Sequence, residues 1–239
     1  MPKILVGCCG WAGKQADYFN DFRVIEIQQT FYKPPQPSTL QRWRDQAPSG
    51  FVFCMKAWQT ITHPASSPTY RKAGIEIPVE DKEKYGFFRP TGEVMEAWER
   101  TKEIAEALEA AFVVFQCPAS FKPTEENCEN LREFLKAIGG QRFELGWEPR
   151  GGWPAEVVRE LCEELGLVHV VDPFKDVPVT GGTLYYRLHG IRGYRYQYTD
   201  ADLKRLRDMC PRDRDVWVMF NNVQMREDAI RFREIVGRR

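Results

Sequence analysis

The chain has 239 residues, with 34 Lys+Arg balanced by 34 Asp+Glu and only 3 His. The balance holds in both halves, 14 of each sign in residues 1–120 and 20 of each in 121–239, which excludes a globally basic nucleic-acid binder and a polyanionic tail. With 43% hydrophobic and 28% charged residues, the chain is too apolar for disorder, and its length suits one domain over 1–239 that needs no disulfide or metal staple.

Lys3–Cys9 (KILVGCC) is the first strand-like run. It follows Met1-Pro2 with no signal-peptide core, and no stretch approaches the ~20 apolar residues of a membrane span. A cytoplasmic protein without a membrane partner is therefore expected. Val24–Thr30 (VIEIQQT) is the second strand, followed by a helix over Ser38–Gln46. Phe51–Ala57 (FVFCMKA) is the third. The stretch after it, about residues 60–93, holds Pro64, Pro68, Pro78 and Pro90 and lacks a helical period. It reads as a long insertion running over the surface near the barrel mouth, with part of it helical or mobile, because βα connections of this length are usually functional. A helix over Val94–Ala111 leads to the fourth strand, Phe112–Cys117. Thr124–Ile138 starts on a Thr N-cap and stops at Gly139-Gly140. Arg142–Glu148, a helix over Pro154–Leu165, Leu167–Asp172 and Thr183–His189 follow. Thr199-Asp200-Ala201-Asp202 forms a capping-box arrangement opening Thr199–Met209. The strand Asp215–Asn221 and the helix Met225–Val236 complete the chain.

Eight strands alternating with helices in this length predict an α/β fold: a single (β/α)8 TIM-type barrel with a long insertion after strand 3. An open doubly wound sheet needs a Gly-rich phosphate loop after its first strand. Gly7-Cys8-Cys9-Gly10-Trp11-Ala12-Gly13 lacks that spacing.

Strand residues alternate between two faces, one against helices and one toward the barrel axis. If the larger apolar side chains face the helices, Glu26, Gln28 and Thr30 take the axis, with Lys56, Gln116, Glu148, Asp172, Arg187 and His189. These lie late in their strands, at the catalytic face of such barrels. Burying charge costs several kcal/mol per ion unless it is paired or used, so charges from several strands predict a site at the C-terminal mouth. Glu26, Glu148 and His189 are the catalytic candidates. Gln28, Lys56, Gln116, Arg150, Asp172 and Arg187 are the substrate-binding candidates, with Lys56, Arg150 and Arg187 binding an anion. His63 reads as a surface loop residue and His169 as packing. The loop Arg192-Gly193-Tyr194-Arg195-Tyr196-Gln197-Tyr198 interleaves cations and aromatics, which adds Tyr194 as a stacking candidate. No metal or other cofactor is expected, since no H-x-H, H-E-x-x-H or D-x-D pattern appears. The seven Cys, with no C-x-x-C, read as buried reduced thiols.

Several stretches read together as a family: Gly7-Cys8-Cys9-Gly10-Trp11, Ile25–Tyr32, Phe53–Ala57 with Thr62-His63, Phe115-Gln116-Cys117-Pro118 with Ser120-Phe121-Lys122, Trp147-Glu148-Pro149-Arg150, Asp172-Pro173, Tyr186–Gly190 and Phe220-Asn221-Asn222. The chain resembles the domain of unknown function 72 (YecE-like) family over nearly its whole length. The resemblance implies a TIM-type barrel and no established reaction, and it adds Asn221 and Asn222 to the substrate-binding set. It also implies a distant likeness to endonuclease IV-type barrels, although three His supply too few ligands for a trinuclear zinc site. The chain departs from the family pattern at Gly151-Gly152-Trp153, where a polar residue and Ser-Trp are usual, and at Cys8-Cys9, where Thr-Ser is common. The functional expectation is an enzyme of hydrolase or lyase type with a small anionic substrate bearing phosphate or carboxylate. The alternatives are a glycosidase using Glu26 and Glu148, and a protein that grips nucleic acid without chemistry.

Overall fold

A computed structural model describes residues 3–237; Met1, Pro2, Arg238 and Arg239 of the expected 1–239 domain lie outside the described residues. The elements are β1 (Ile4–Cys9), α1 (Gln15–Asp21), β2 (Val24–Ile27), α2 (Gln29–Tyr32), α3 (Pro37–Gln46), β3 (Val52–Lys56), α4 (Gln59–Thr62), α5 (Pro68–Ala73), a 3₁₀ turn (Val79–Lys84), α6 (Gly92–Ala107), β4 (Phe112–Gln116), α7 (Glu125–Ile138), β5 (Glu144–Glu148), α8 (Ala155–Leu165), β6 (Val168–Val171), β7 (Leu184–Leu188), α9 (Asp200–Asp208), β8 (Val216–Phe220) and α10 (Met225–Gly237). The eight strands run parallel in sequence order and close through β1 and β8.

Local chemistry sets the helix ends. The Thr124 hydroxyl accepts from the Asn127 amide, and Thr199 and Asp202 form a full capping box. Thr91 caps α6 by accepting from Val94 N–H, so that helix starts at Gly92. It ends at Ala107, short of the expected Ala111, because Glu109 takes a left-handed backbone with φ 49°. The expected strand Val24–Thr30 also ends early, at Ile27. Thr30 lies in α2 and its hydroxyl donates to the carbonyls of Ile27 and Lys56. It is a clasp between β2 and β3 and does not face the axis.

The apolar interior divides into two clusters, as the strand period requires. Ile25, Ile27, Phe53, Met55, Val113, Phe115, Trp147 and Phe220 pack outward against the helices. Val24, Cys54, Phe112, Val114, Val170, Tyr185, Trp217 and Met219 fill the barrel. Large side chains are therefore not confined to the outer shell. Phe112, Tyr185 and Trp217 stack inside, with centroids 4.4, 5.7 and 6.0 Å apart. Gly146 makes room for them: a Cβ there would lie 2.3 Å from Phe112 Cε1. This layer is the floor on which the mouth residues stand.

The connection between β3 and α6 is not a surface loop throughout. Residues 59–63 are buried, as is Phe88, and Phe88 N–H and Gly86 N–H donate back to the Ile61 and Thr60 carbonyls. From Ser66 through the 3₁₀ turn the connection is largely solvent-facing, and α5 makes part of it helical. Among the described residues no helix is long and apolar enough to cross a membrane.

Candidate functional site

The ends of β2, β3, β4, β5 and β7 raise Glu26, Lys56, Gln116, Glu148 and Arg187 above the aromatic floor. Arg187 is at the centre. Its Nε and Nη2 donate to the two oxygens of Glu26 at 3.0 and 2.8 Å, and its Nη1 donates to Gln116 Oε1 at 3.0 Å and to Glu148 Oε2. Tyr185 Oη donates to Glu26 at 2.9 Å, and Gln28 Nε2 caps the other oxygen. Glu26 and Arg187 have no solvent exposure. A guanidinium presents a planar fork that matches carboxylates two oxygens at a time, and here the fork is used up inside the protein. Arg187 is therefore an ion-pair hub beneath the mouth and not the open anion-binding group expected of it. The same hub ties Glu26 and Glu148 to one cation, and the fully buried Glu26 offers no open face to a sugar, so the geometry does not favour the glycosidase reading.

A second layer is partly exposed. Arg150 Nε and Nη2 donate to Glu148 Oε1 at 2.8 and 2.6 Å. His189 Nε2 lies 3.2 Å from the same oxygen and 2.9 Å from Arg150 Nη2, while its Nδ1 lies 3.2 Å from Asn221 Nδ2. A neutral imidazole has one N–H; Asn221 Nδ2 can only donate, which makes Nδ1 the acceptor and puts the proton on Nε2, from where it donates to Glu148. Asp172 accepts from the His189 backbone N–H at 3.1 Å and pairs with Lys175 at 3.5 Å. Glu148, Arg150, Asp172, Lys175, His189 and Tyr194 line a cleft of about 640 Å³.

Electrostatics sort these groups. Burial works to raise the Glu148 carboxyl, but Arg187, Arg150 and the His189 hydrogen bond outweigh it and hold the group well below the usual carboxylate range. Glu148 is thus an ionised partner and not a general acid. Burial lowers His189, against the pull of Glu148, so the ring is neutral at pH 7. Burial, helped by the Arg187 cation, brings Lys56 down to about 7. Its Nζ lies over the Phe31 ring, 3.6 Å from the centroid, and among the described residues no carboxylate pairs with it. Cys8 and Cys9 are buried, and burial raises both thiols, so neither is a thiolate nucleophile.

One expected contributor points elsewhere. Asn222 is fully buried, and its Nδ2 donates to Tyr196 O and Asp228 Oδ2, bracing α10. In the loop after β7, Tyr198 is buried and Tyr196 Oη donates to Asp202, leaving Tyr194 as the exposed aromatic. One exposed ring makes a poor stacking platform for a nucleic-acid strand. Conversely, His63 is not on the surface. It is 4% exposed, packs edge-on to Phe31 at 4.9 Å, and is lowered to about 3, by burial first and then by Lys56 and Arg150. The Thr62-His63 pair and the Ile25–Tyr32 stretch in the motif set were the signals for His63 and Phe31; Lys175 gave none.

The likeness to endonuclease IV-type barrels raises the question of metal. Among the described residues no three His, Cys, Asp or Glu side chains group as a ligand set, and Arg187 occupies both central carboxylates. The residues do not fit a zinc cluster.

Fold and mouth together define a (β/α)8 barrel with a charged, partly open C-terminal face. The profile of the protein family of unknown function DUF72 matches residues 5–238, and the chain belongs to that family. It is similar to the UPF0759 protein YecE of Escherichia coli (strain K12), 38% identical over 50 residues, a match that spans 21% of this chain and 18% of YecE. A crystal structure of a DUF72 family protein from Enterococcus faecalis V583 superposes with a TM-score of 0.73 at 18% identity, covering 99% of this chain and 98% of the other. Endonuclease IV from Thermus thermophilus superposes with a TM-score of 0.51 at 14% identity, covering 99% and 98%, a likeness of fold alone.

Proposed function

We propose that the chain is an enzyme of hydrolase or lyase type acting on a small anionic substrate, bearing phosphate or carboxylate, in the cleft at the barrel mouth. The observation that carries this reading is a linked Glu148–Arg150–His189 group on the wall of that open cleft. Arg150 is 37% exposed and has donors left for an anion, with Lys175 as a second cation on the same wall. His189 is neutral and takes or gives a proton. The ionised Glu148 beside it stabilises the imidazolium that forms, as a carboxylate does for a catalytic His in acyl-transfer enzymes. A panel of small phosphoesters and carboxylates tests the reading. Turnover is expected, and His189→Asn is expected to reduce it by about 10²–10⁴-fold, the usual contribution of a general acid or base. A salt-sensitive gel shift with unchanged nucleic acid, and no turnover of any small anion, would replace the enzyme by a binding protein.

A further inference from the structure

Among the described residues at the strand ends, Lys56 is a cation whose place the ion-pair scheme leaves unexplained. Arg187 takes both oxygens of Glu26 and one of Glu148; Arg150 takes the other. Lys56 closes β3 on the axis face, is 4% exposed, and among the described residues has neither an ion pair nor a hydrogen bond from its Nζ. The Nζ atom keeps a small solvent contact, but most of the side chain is desolvated with no protein partner to offset that cost. The groups around it do not repair this. Glu26 and Glu148 favour its charge but are engaged by Arg187 and Arg150, which oppose it, and His63 is neutral. What remains is the face of Phe31, backed by the His63 ring. A lysine desolvated next to cations is the setting in which an amine turns nucleophile.

We infer that Lys56 condenses with the carbonyl group of a small anionic aldehyde or ketone to form an imine. The inference rests on the anion-binding reading of the mouth and narrows its lyase branch to carbonyl substrates. The amine nitrogen bonds to the carbonyl carbon while the carbonyl oxygen takes a proton. The carbinolamine then takes up a proton and loses that oxygen as water, giving the protonated imine, and release of the nitrogen's second hydrogen as a proton gives the neutral imine. Amine and carbonyl thus become imine and water, with no change of oxidation state. The protonated imine carries one positive charge over the same Phe31 face and draws electrons from the neighbouring carbon, the demand that carbon–carbon cleavage or proton abstraction makes.

The test is reductive trapping in the full chain. Glyoxylate, pyruvate and dihydroxyacetone phosphate are each incubated with the protein at pH 7 and reduced with borohydride, and the modified peptides are mapped by mass spectrometry. One adduct per chain is expected, on Lys56, forming at least about tenfold faster than on any surface lysine, whose amine is about 99.9% protonated at that pH. The rate on Lys56 should rise with a midpoint near 7. Lys56→Arg, checked for folding by circular dichroism, should lose that adduct and keep the surface background. Localisation in the unaltered chain decides the matter even if the variant does not fold. Adducts confined to surface lysines, or none with all three compounds, overturn the inference. Titration with inorganic phosphate separates the two readings: phosphate binding without an adduct leaves the anion site standing and removes the imine, whereas loss of both removes both.

Discussion

Arg187 and Glu26 lie 161 residues apart and form a two-point ion pair across the barrel, Nε to Oε2 at 3.0 Å and Nη2 to Oε1 at 2.8 Å, with both side chains fully buried. Such a pair says little about net stability when intact, yet removing one partner strands a charge in a medium that cannot solvate it. Arg187→Ala leaves Glu26 and Glu148 facing each other with Arg150 as the remaining contact cation. A loss of about 3–5 kcal/mol is expected in urea unfolding. Glu148→Gln should also destabilise, since Glu148 serves Arg187 and Arg150 together. An unchanged unfolding midpoint for Arg187→Ala would mean that the hub contributes nothing to folding.

The three histidines give the protein an acid-sensitive window. Burial lowers His63 to about 3 and His169 to about 4, and it lowers His189 as well. Unfolded, each titrates near 6.5. Below that value the unfolded chain binds protons that the folded chain refuses, so stability rises with pH there and falls as pH drops. Each group contributes a slope of up to about 1.4 kcal/mol per pH unit. Stability should be fully present above about pH 6.5 and decline toward pH 4, before most carboxylates titrate. Melting temperatures across this range, compared with those of His63→Gln, check the sign and should show a shallower slope in the variant.

The strand order and the two faces were legible because a period of two is a local property, and Glu26, Glu148 and Arg187 followed from it directly. The short helices α1, α2 and α4 were not, since four to seven residues carry no helical period. Parity put Phe112, Tyr185 and Trp217 on the axis, but the rule that large side chains face outward hid them; the space for them comes from Gly146 on another strand. His63 was hidden by composition, because a Pro-rich stretch reads as loop even where its first turn is tucked under Phe31. The pairing that decides which cation is free, Arg187 or Lys56, depends on distances across the barrel between β2, β5 and β7. No sequence spacing contains those. The departure at Gly151 has a local cause: a Cβ there would lie 1.9 Å from the Phe121 carbonyl oxygen, which itself accepts from Trp153 Nε1.

Gly146 provides a test of the floor. A methyl group at this position would meet Phe112 Cε1 at 2.3 Å and Val170 Cγ2 at 2.7 Å. The ring cannot swing aside, because Tyr185 and Trp217 hold its other side. Gly146→Ala is expected to lower stability by about 1–3 kcal/mol, the usual cost of overpacking a filled core. Equilibrium denaturation measures it, and a neutral or stabilising result would show that the three rings repack freely.

Arg150 separates binding from scaffolding. Its side chain is 37% exposed while that of its partner Glu148 is 8% exposed. Glu148 keeps the buried Arg187 when Arg150 is removed. Pairs with one partner in solvent are worth about 0–1 kcal/mol, so Arg150→Ala should shift the melting temperature little. The guanidinium also faces the cleft beside Lys175 and His189, where an incoming phosphate or carboxylate would meet two cations and a neutral imidazole. Loss of one charged contact of that kind typically removes about 1.5–3 kcal/mol of binding, or roughly 10- to 150-fold in affinity. Titration calorimetry with inorganic phosphate is expected to show this drop in Arg150→Ala, with Lys175→Ala weaker in effect because Lys175 is partly committed to Asp172. A variant that binds phosphate as well as the unaltered chain while losing several kcal/mol of stability would reverse the assignment and make Arg150 a structural partner of Glu148.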